Sequence, residues 1–159
     1  MGTSAPTRTV TTAAGAAEVV DTGGDGPAVL FVHGTPGGCD QGELMTRFLV
    51  DAGFRVVAPS RPGYRGTPLT DDLATPSAQA GLHGALLDEL GLDQVALMCW
   101  SGGGPSSYQL AIDQPDRITA LAAIAALSGP YTFEHPGQES ILFGRPGTWL
   151  MKEMGRHRP

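Results

Sequence analysis

The sequence predicts an α/β fold, a mainly parallel sheet flanked by helices. Two observations carry the prediction. Four short runs, Ala28 to Val32, Phe54 to Ala58, Gln94 to Cys99 and Ile118 to Leu127, are predominantly apolar, as strands covered on both faces must be. Between them lie segments with helical spacing on short connections, and strands that alternate with helices build a parallel sheet.

Taken in order, Thr7 to Ala13 and Ala16 to Asp21 read as two short strands joined at Gly15, and a turn cluster, Thr22 to Pro27, follows. The apolar run 28–32 leads directly into His33-Gly34-Thr35-Pro36-Gly37-Gly38, too rich in glycine for regular structure. Glu43 to Ala52 places Leu44, Phe48 and Leu49 at helical spacing and stops at Gly53. After the strand 54–58, Pro59 to Thr70 is a loop. Thr75-Pro76 then supplies a cap and a proline suited to the first helical position. That helix carries Leu82, Leu86 and Leu90 as one stripe and ends at Gly91. The strand 94–99 runs into Ser101, a helix spans about 103–114, and the strand 118–127 closes the series at Ser128-Gly129-Pro130. From Tyr131 the pattern changes, and only Thr148 to Met154 looks helical. The expected organisation is a core over 1–129 and a cap segment or irregular tail over 130–159.

Composition removes several function classes. Sixteen acidic against ten basic side chains give a formal charge of -6 with no basic face, so nucleic acid is not an expected partner. No apolar run reaches membrane-spanning length, and residues 1–9 lack the apolar core of a signal peptide. Cys39 and Cys99 are expected as reduced thiols, and the expected location is cytoplasmic. The histidines, His33, His83, His135 and His157, are not at ligand spacing, so no metal is expected.

Chemistry is concentrated in Met98-Cys99-Trp100-Ser101-Gly102-Gly103-Gly104-Pro105. A strand that turns sharply onto a helix with a serine at its apex is a nucleophile elbow, and its flanking residues must be small. The bland alternative for Ser101 is a helix cap. A dinucleotide site is a weaker rival: Ser107 stands where a third glycine would be needed, and no acidic residue ends the next strand. No cofactor is expected.

Three motifs in order, His33 to Gly38, Ser60-Arg61-Pro62-Gly63-Tyr64 and Trp100 to Pro105, followed by Pro115-Asp116-Arg117, mark a resemblance. Over about residues 8–130 the chain resembles the N-terminal portion of the α/β-hydrolases, close to prolyl-iminopeptidase-like and esterase-like serine hydrolases. The resemblance implies a hydrolase cleaving a small ester or amide through an acyl-enzyme intermediate. Ser101 would be its nucleophile, and the amides of Thr35 and Gly102 its oxyanion donors. Pro36 has no N–H to offer. His33 and Gly34 would orient the loop, with His33 not acting as the base. Cys99 departs from the pattern, which usually has glycine there. Epoxide hydrolases and haloalkane dehalogenases of this fold carry aspartate at the elbow, and Ser101 argues against both.

In this fold the acid and then the base follow the serine, after later strands. His135 and His157 follow Ser101, but neither follows a predicted strand, and His157 is the weak candidate for the base. Two expectations result. One is a truncated hydrolase lacking its acid and base, with an apolar edge on the strand 118–127 open to self-association. The other is a non-catalytic hydrolase-like binding module, or half of a two-chain assembly.

Overall fold

Four of the six strands form where a short apolar run meets a turn former, and the computed structural model describes residues 5–129. Thr7–Thr12 (β1) and Gly15–Asp21 (β2) make an antiparallel hairpin, and β2 pairs antiparallel with Arg55–Pro59 (β4). The remaining pairings are parallel: Ala28–Val32 (β3) lies between β4 and Val95–Trp100 (β5), and β5 pairs with Ile118–Ile124 (β6). The six strands run in the order β1-β2-β4-β3-β5-β6.

Alternation along the central strands sends side chains to two separate cores. On one face Leu30, Val32, Val57, Leu97 and Cys99 pack with Leu82, Leu86 and Leu87 of the helix Pro76–Glu89 (α3) and Leu110 of the helix Gly104–Asp113 (α4). On the other, Val29, Phe31, Val56, Ala58 and Met98 pack with Met45 and Leu49, from the short helices Cys39–Met45 (α1) and Arg47–Asp51 (α2). Each fully buried leucine is worth about 1.5–3 kcal/mol against its exposed state. Thr75 caps α3 as the sequence predicts, its hydroxyl accepting from the Ala78 amide at 3.1 Å with Pro76 following.

Two elements differ from expectation. The helix predicted over 43–52 is two helices, beginning earlier and broken at Thr46, whose buried hydroxyl donates to the Gly42 carbonyl at 2.6 Å. Of the three apolar residues at helical spacing, Leu44 and Phe48 are 60% and 62% exposed, while Leu49 packs against the core. The cause is close approach to the sheet. A Cβ on Gly42 would lie 2.2 Å from the Ala58 Cβ, so the inward positions are held by Gly42 and Cys39, and bulkier side chains turn outward. The strand predicted to reach Leu127 ends at Ile124, where Ala125 adopts φ 44°. Among the described residues β6 is a sheet edge, with Leu121 and Ile124 exposed.

Contacts divide the chain into Met1–Ser128 and Gly129–Pro159. The expected cap segment over 130–159, the helical stretch 148–154 and the histidines His135 and His157 lie outside the described residues.

Candidate active site

The loops after β3, β4 and β5 meet at one end of the sheet, where neighbouring parallel strands deliver their C-terminal ends together. β5 ends at Trp100, and Ser101 follows at φ 49°, a left-handed conformation that costs a non-glycine residue about 1–2 kcal/mol. Ser101, Gly102 and Gly103 make one tight turn before α4. Ser101 is half-buried, and its hydroxyl has no hydrogen-bond partner among the described residues. Its carbonyl accepts from the Leu127 amide at 2.9 Å. Residues 125–127 therefore leave the β6 ladder to brace the turn, which explains why that strand is shorter than its apolar run.

The glycines around the serine are set by crowding. A Cβ on Gly103 would sit 2.3 Å from the Val32 carbonyl oxygen, so the turn rests directly on the end of β3. A Cβ on Gly34 would meet the Ser101 Cβ at 2.9 Å and the Trp100 carbonyl oxygen at 3.1 Å. The His33-Gly34 loop and the serine turn are thus in backbone contact. Cys99, at the position the resemblance gives to glycine, is fully buried on the α3–α4 face, and burial pushes its thiol up.

His33 is fully buried and pins two loops together. The Arg61 amide donates to His33 Nε2 at 2.8 Å. The proton is therefore on Nδ1, which donates to the Gly34 carbonyl at 2.6 Å. Burial pushes this imidazole down to about 4, against an upward pull from the Gly34 carbonyl. A ring with both nitrogens engaged, neutral at physiological pH, is fixed as a connector.

Thr35 follows in the same loop. The Gly34 amide donates to Gln41 Oε1 at 3.1 Å, and Gln41 Nε2 donates to the Pro36 carbonyl at 2.8 Å. The Gly34 N–H is consumed in this way, whereas the Thr35 N–H has no partner among the described residues. It lies 3.8 Å from the point where a Gly102 side chain would begin. Gly102, in the first turn after the strand, has no helical acceptor for its own N–H. Two amides without partners among the described residues, one directly after Ser101 and one in the loop packed against its turn, are donors of the kind that can stabilise an oxyanion.

Sequence reasoning missed three supports. Gln41 clamps the 34–36 loop. Tyr64 meets the Thr35 hydroxyl at 2.6 Å and packs edge-on against His33 at 4.9 Å between ring centroids. Glu18 of β2 holds the 60–66 loop, accepting from the Ser60 hydroxyl at 2.8 Å, Arg65 Nε at 3.1 Å and the Gly66 amide at 3.2 Å. Burial works against that carboxylate, but those hydrogen bonds and the Arg65 charge outweigh it and hold its pKa below the ordinary value. Only spatial contact reveals these roles.

The other described histidine, His83 of α3, is buried with Nε2 3.3 Å from the Ser106 hydroxyl, and burial pushes it down to about 3. No group of three or more metal-ligating side chains exists among the described residues, and no helix there is long and apolar enough to cross a membrane.

Comparison with known proteins bears on this arrangement. The epoxide hydrolase 2 of Siraitia grosvenorii is 35% identical over 107 residues, covering 64% of this chain and 33% of that protein. An alpha/beta hydrolase fold protein from Nakamurella multipartita superposes with a TM-score of 0.81 at 47% identity, over 96% of this chain and 53% of that one. A thermophilic esterase from Thermogutta terrifontis gives a TM-score of 0.70 at 27% identity, over 94% of this chain and 57% of that one. The chain thus spans about a third of the curated relative's length and just over half of each solved structure's. The model of the alpha/beta hydrolase fold family matches residues 27–149. With the sheet order and the strand–turn–helix at Ser101, this match means that the chain belongs to the alpha/beta hydrolase fold family.

Proposed function

We propose that the chain carries the nucleophile half of a serine hydrolase that cleaves a small ester or amide. Ser101 attacks the carbonyl carbon, the amides of Thr35 and Gly102 receive the oxyanion, and collapse expels the alcohol or amine to leave an acyl-enzyme that water hydrolyses. One observation carries this reading: Ser101 is held at φ 49°, its hydroxyl without a partner among the described residues, at the apex of a turn resting on the partner loop. Strain of this kind persists only where the surroundings over-determine it. Similar proteins include an epoxide hydrolase and an esterase. The serine at the elbow favours the ester side, because the resemblance gives the epoxide hydrolases an aspartate there.

His33 and Gly34 then act by orientation: the histidine joins the 33–36 loop to the 60–66 loop, and Gly34 admits the serine turn. A base and its orienting acid are not among the described residues. His157 is the candidate base within this chain. A second reading, a hydrolase-like binding module, is favoured by the state of the two described histidines, both buried and engaged.

A fluorophosphonate probe with intact-mass readout separates the two. The expected result is one adduct on the 159-residue chain that disappears in Ser101→Ala. A wild-type chain that never acquires the adduct removes the nucleophile role and leaves the binding reading.

A further inference from the structure

One residue outside the serine turn grips the 33–36 loop on both sides of Gly34. The Arg61 amide donates to His33 Nε2 at 2.8 Å, and the Arg61 guanidinium donates from Nη2 to the Thr35 hydroxyl at 3.0 Å. That guanidinium lies 4.6 Å from the Tyr64 ring centroid, and the Tyr64 hydroxyl meets the same Thr35 oxygen at 2.6 Å. Arg61 is only 8% exposed, its Nε has no acceptor, and no carboxylate pairs with it among the described residues. Arg8, Arg55, Arg65 and Arg117, by contrast, each reach a carboxylate within 3.2 Å. An arginine stays protonated in proteins, so the fold retains a desolvated charge that a neutral side chain would avoid.

The grip has a direction. Gln41 takes the Gly34 amide and the Pro36 carbonyl, His33 is engaged at both ring nitrogens, and Arg61 and Tyr64 take the Thr35 hydroxyl. The Thr35 N–H is left without a partner among the described residues. Gly102 seats against the same pair: a Cβ there would crowd the Thr35 hydroxyl at 3.1 Å and Arg61 Nη2 at 3.3 Å. The guanidinium therefore packs against Thr35 and Gly102 together, the two residues named above as oxyanion donors, while Tyr64 covers it. A planar, weakly hydrated cation can make a stacking contact and an edge hydrogen bond at once, whereas lysine is a point charge on a flexible stem.

We propose that Arg61 is a positioning residue: acting through the Thr35 hydroxyl, it fixes the Thr35 N–H relative to Gly102 and so sets the spacing of the two donors. That purpose rests on the acyl transfer proposed above; the grip on the loop does not. Threonine at position 35 is then needed twice, for its N–H and for the oxygen that Arg61 holds. The effect of the guanidinium on reactivity travels through Thr35, not through a contact with substrate.

The test is a double-mutant cycle on fluorophosphonate labelling of the 159-residue chain, followed over probe concentration. Arg61→Met and Thr35→Val should each lower the maximal labelling rate ~10–100-fold, the scale of a group displaced by ~1 Å, with the half-saturating probe concentration little changed. The double variant should be no slower than the slower single one. Thr35→Ser, which returns the hydroxyl, should restore the sensitivity to Arg61→Met. Arg61→Lys keeps the charge without the fork or the planar face, so it should be slow as well, and it supplies a folded comparison if the methionine packs badly. Effects that multiply in the double variant, or a lysine variant labelled at the wild-type rate, overturn the positioning role. Nuclear magnetic resonance separates this claim from the hydrolase reading: the Thr35 amide should give one sharp proton–nitrogen correlation peak in wild type and a broadened or split one in both Arg61 variants. A peak as sharp in those variants as in wild type overturns the grip, whatever the probe does. A wild-type chain that resists the probe while its Thr35 peak depends on Arg61 removes the hydrolase reading and the catalytic purpose, and keeps the grip.

Discussion

Adding one methyl group at position 103 should unseat the serine turn. In Gly103→Ala the new Cβ would lie 2.3 Å from the Val32 carbonyl oxygen and 2.8 Å from that of His33, where ordinary contact begins near 3.4 Å. The shortfall of about 1 Å cannot be relieved by a rotamer change, because both obstacles are backbone and Val32 is paired with Cys99 across the sheet. Either β3 or the turn must shift. Overpacking costs about 1–3 kcal/mol, and a backbone hydrogen bond lost in the shift adds about 1 kcal/mol. The expected loss is therefore ~3 kcal/mol. A displacement of ~1 Å at a reacting group should also slow Ser101 labelling by ~10²-fold. Gly81→Ala is the reference, since a Cβ at this exposed position of α3 has nothing within 4 Å, and helix propensity makes it about 1 kcal/mol more stable. Urea unfolding of both variants, with unchanged m, reads the stabilities, and labelling under conditions where both are folded reads the geometry. A Gly103→Ala protein within ~0.5 kcal/mol of wild type, labelled at the wild-type rate, would refute the seating of the turn on β3.

Three further outcomes are expected. Ser101→Gly should be more stable than wild type by ~1 kcal/mol, because glycine adopts φ 49° without penalty, while Ser101→Ala keeps the strain and both lose labelling; equal stability of the two variants would contradict the strain. Stability should fall as pH drops from about 6.5 towards 4, because the unfolded chain protonates His33 and His83 in a window where the folded chain, with pKa values of about 4 and 3, does not. His33 alone contributes ~3 kcal/mol that is present above its unfolded pKa and lost on acidification. His83→Leu should flatten the slope measured by urea unfolding at several pH values, and an unaltered slope would remove that contribution. We also propose that the β6 edge drives self-association; light scattering should show more than the 16.4 kDa monomer in wild type and less mass in Leu121→Lys, and a monomeric wild type would count against it.

Much of the sheet was legible because parallel strands advertise themselves as unbroken apolar runs, and three loop motifs fell at their ends. The position of Ser101 was legible for the same reason: a buried strand before it and three glycines after it leave few other local geometries. The faces of α1 and α2 were not. Helical spacing groups Leu44, Phe48 and Leu49, whereas contact at Gly42 with Ala58 decides the orientation. That distance between helix and sheet has no signature in a single segment. Arg61 was quoted within a motif, but its buried charge went unread, since a loop arginine is ordinarily solvated and only the packing of Tyr64 and Thr35 around it shows otherwise. The clamps made by Gln41 and Glu18 escaped for a related reason: polar residues at ordinary helix and strand positions look like surface until their partners are known.

The pin made by His33 has a consequence for how the site comes into being. It joins segments 28 residues apart, and the serine turn they support arrives later still in the chain, after α3. None of these groups has a local precursor: the 33–36 loop, the Arg61 amide and Ser101 acquire their relations only when β3 is flanked by both β4 and β5. Contacts so distant in sequence form late, after the loop-closure cost has been met. Reactivity at Ser101 should accordingly appear in step with the last phase of refolding, with no partially reactive species before it. A serine-directed probe would then serve as a clock for completion of the central sheet.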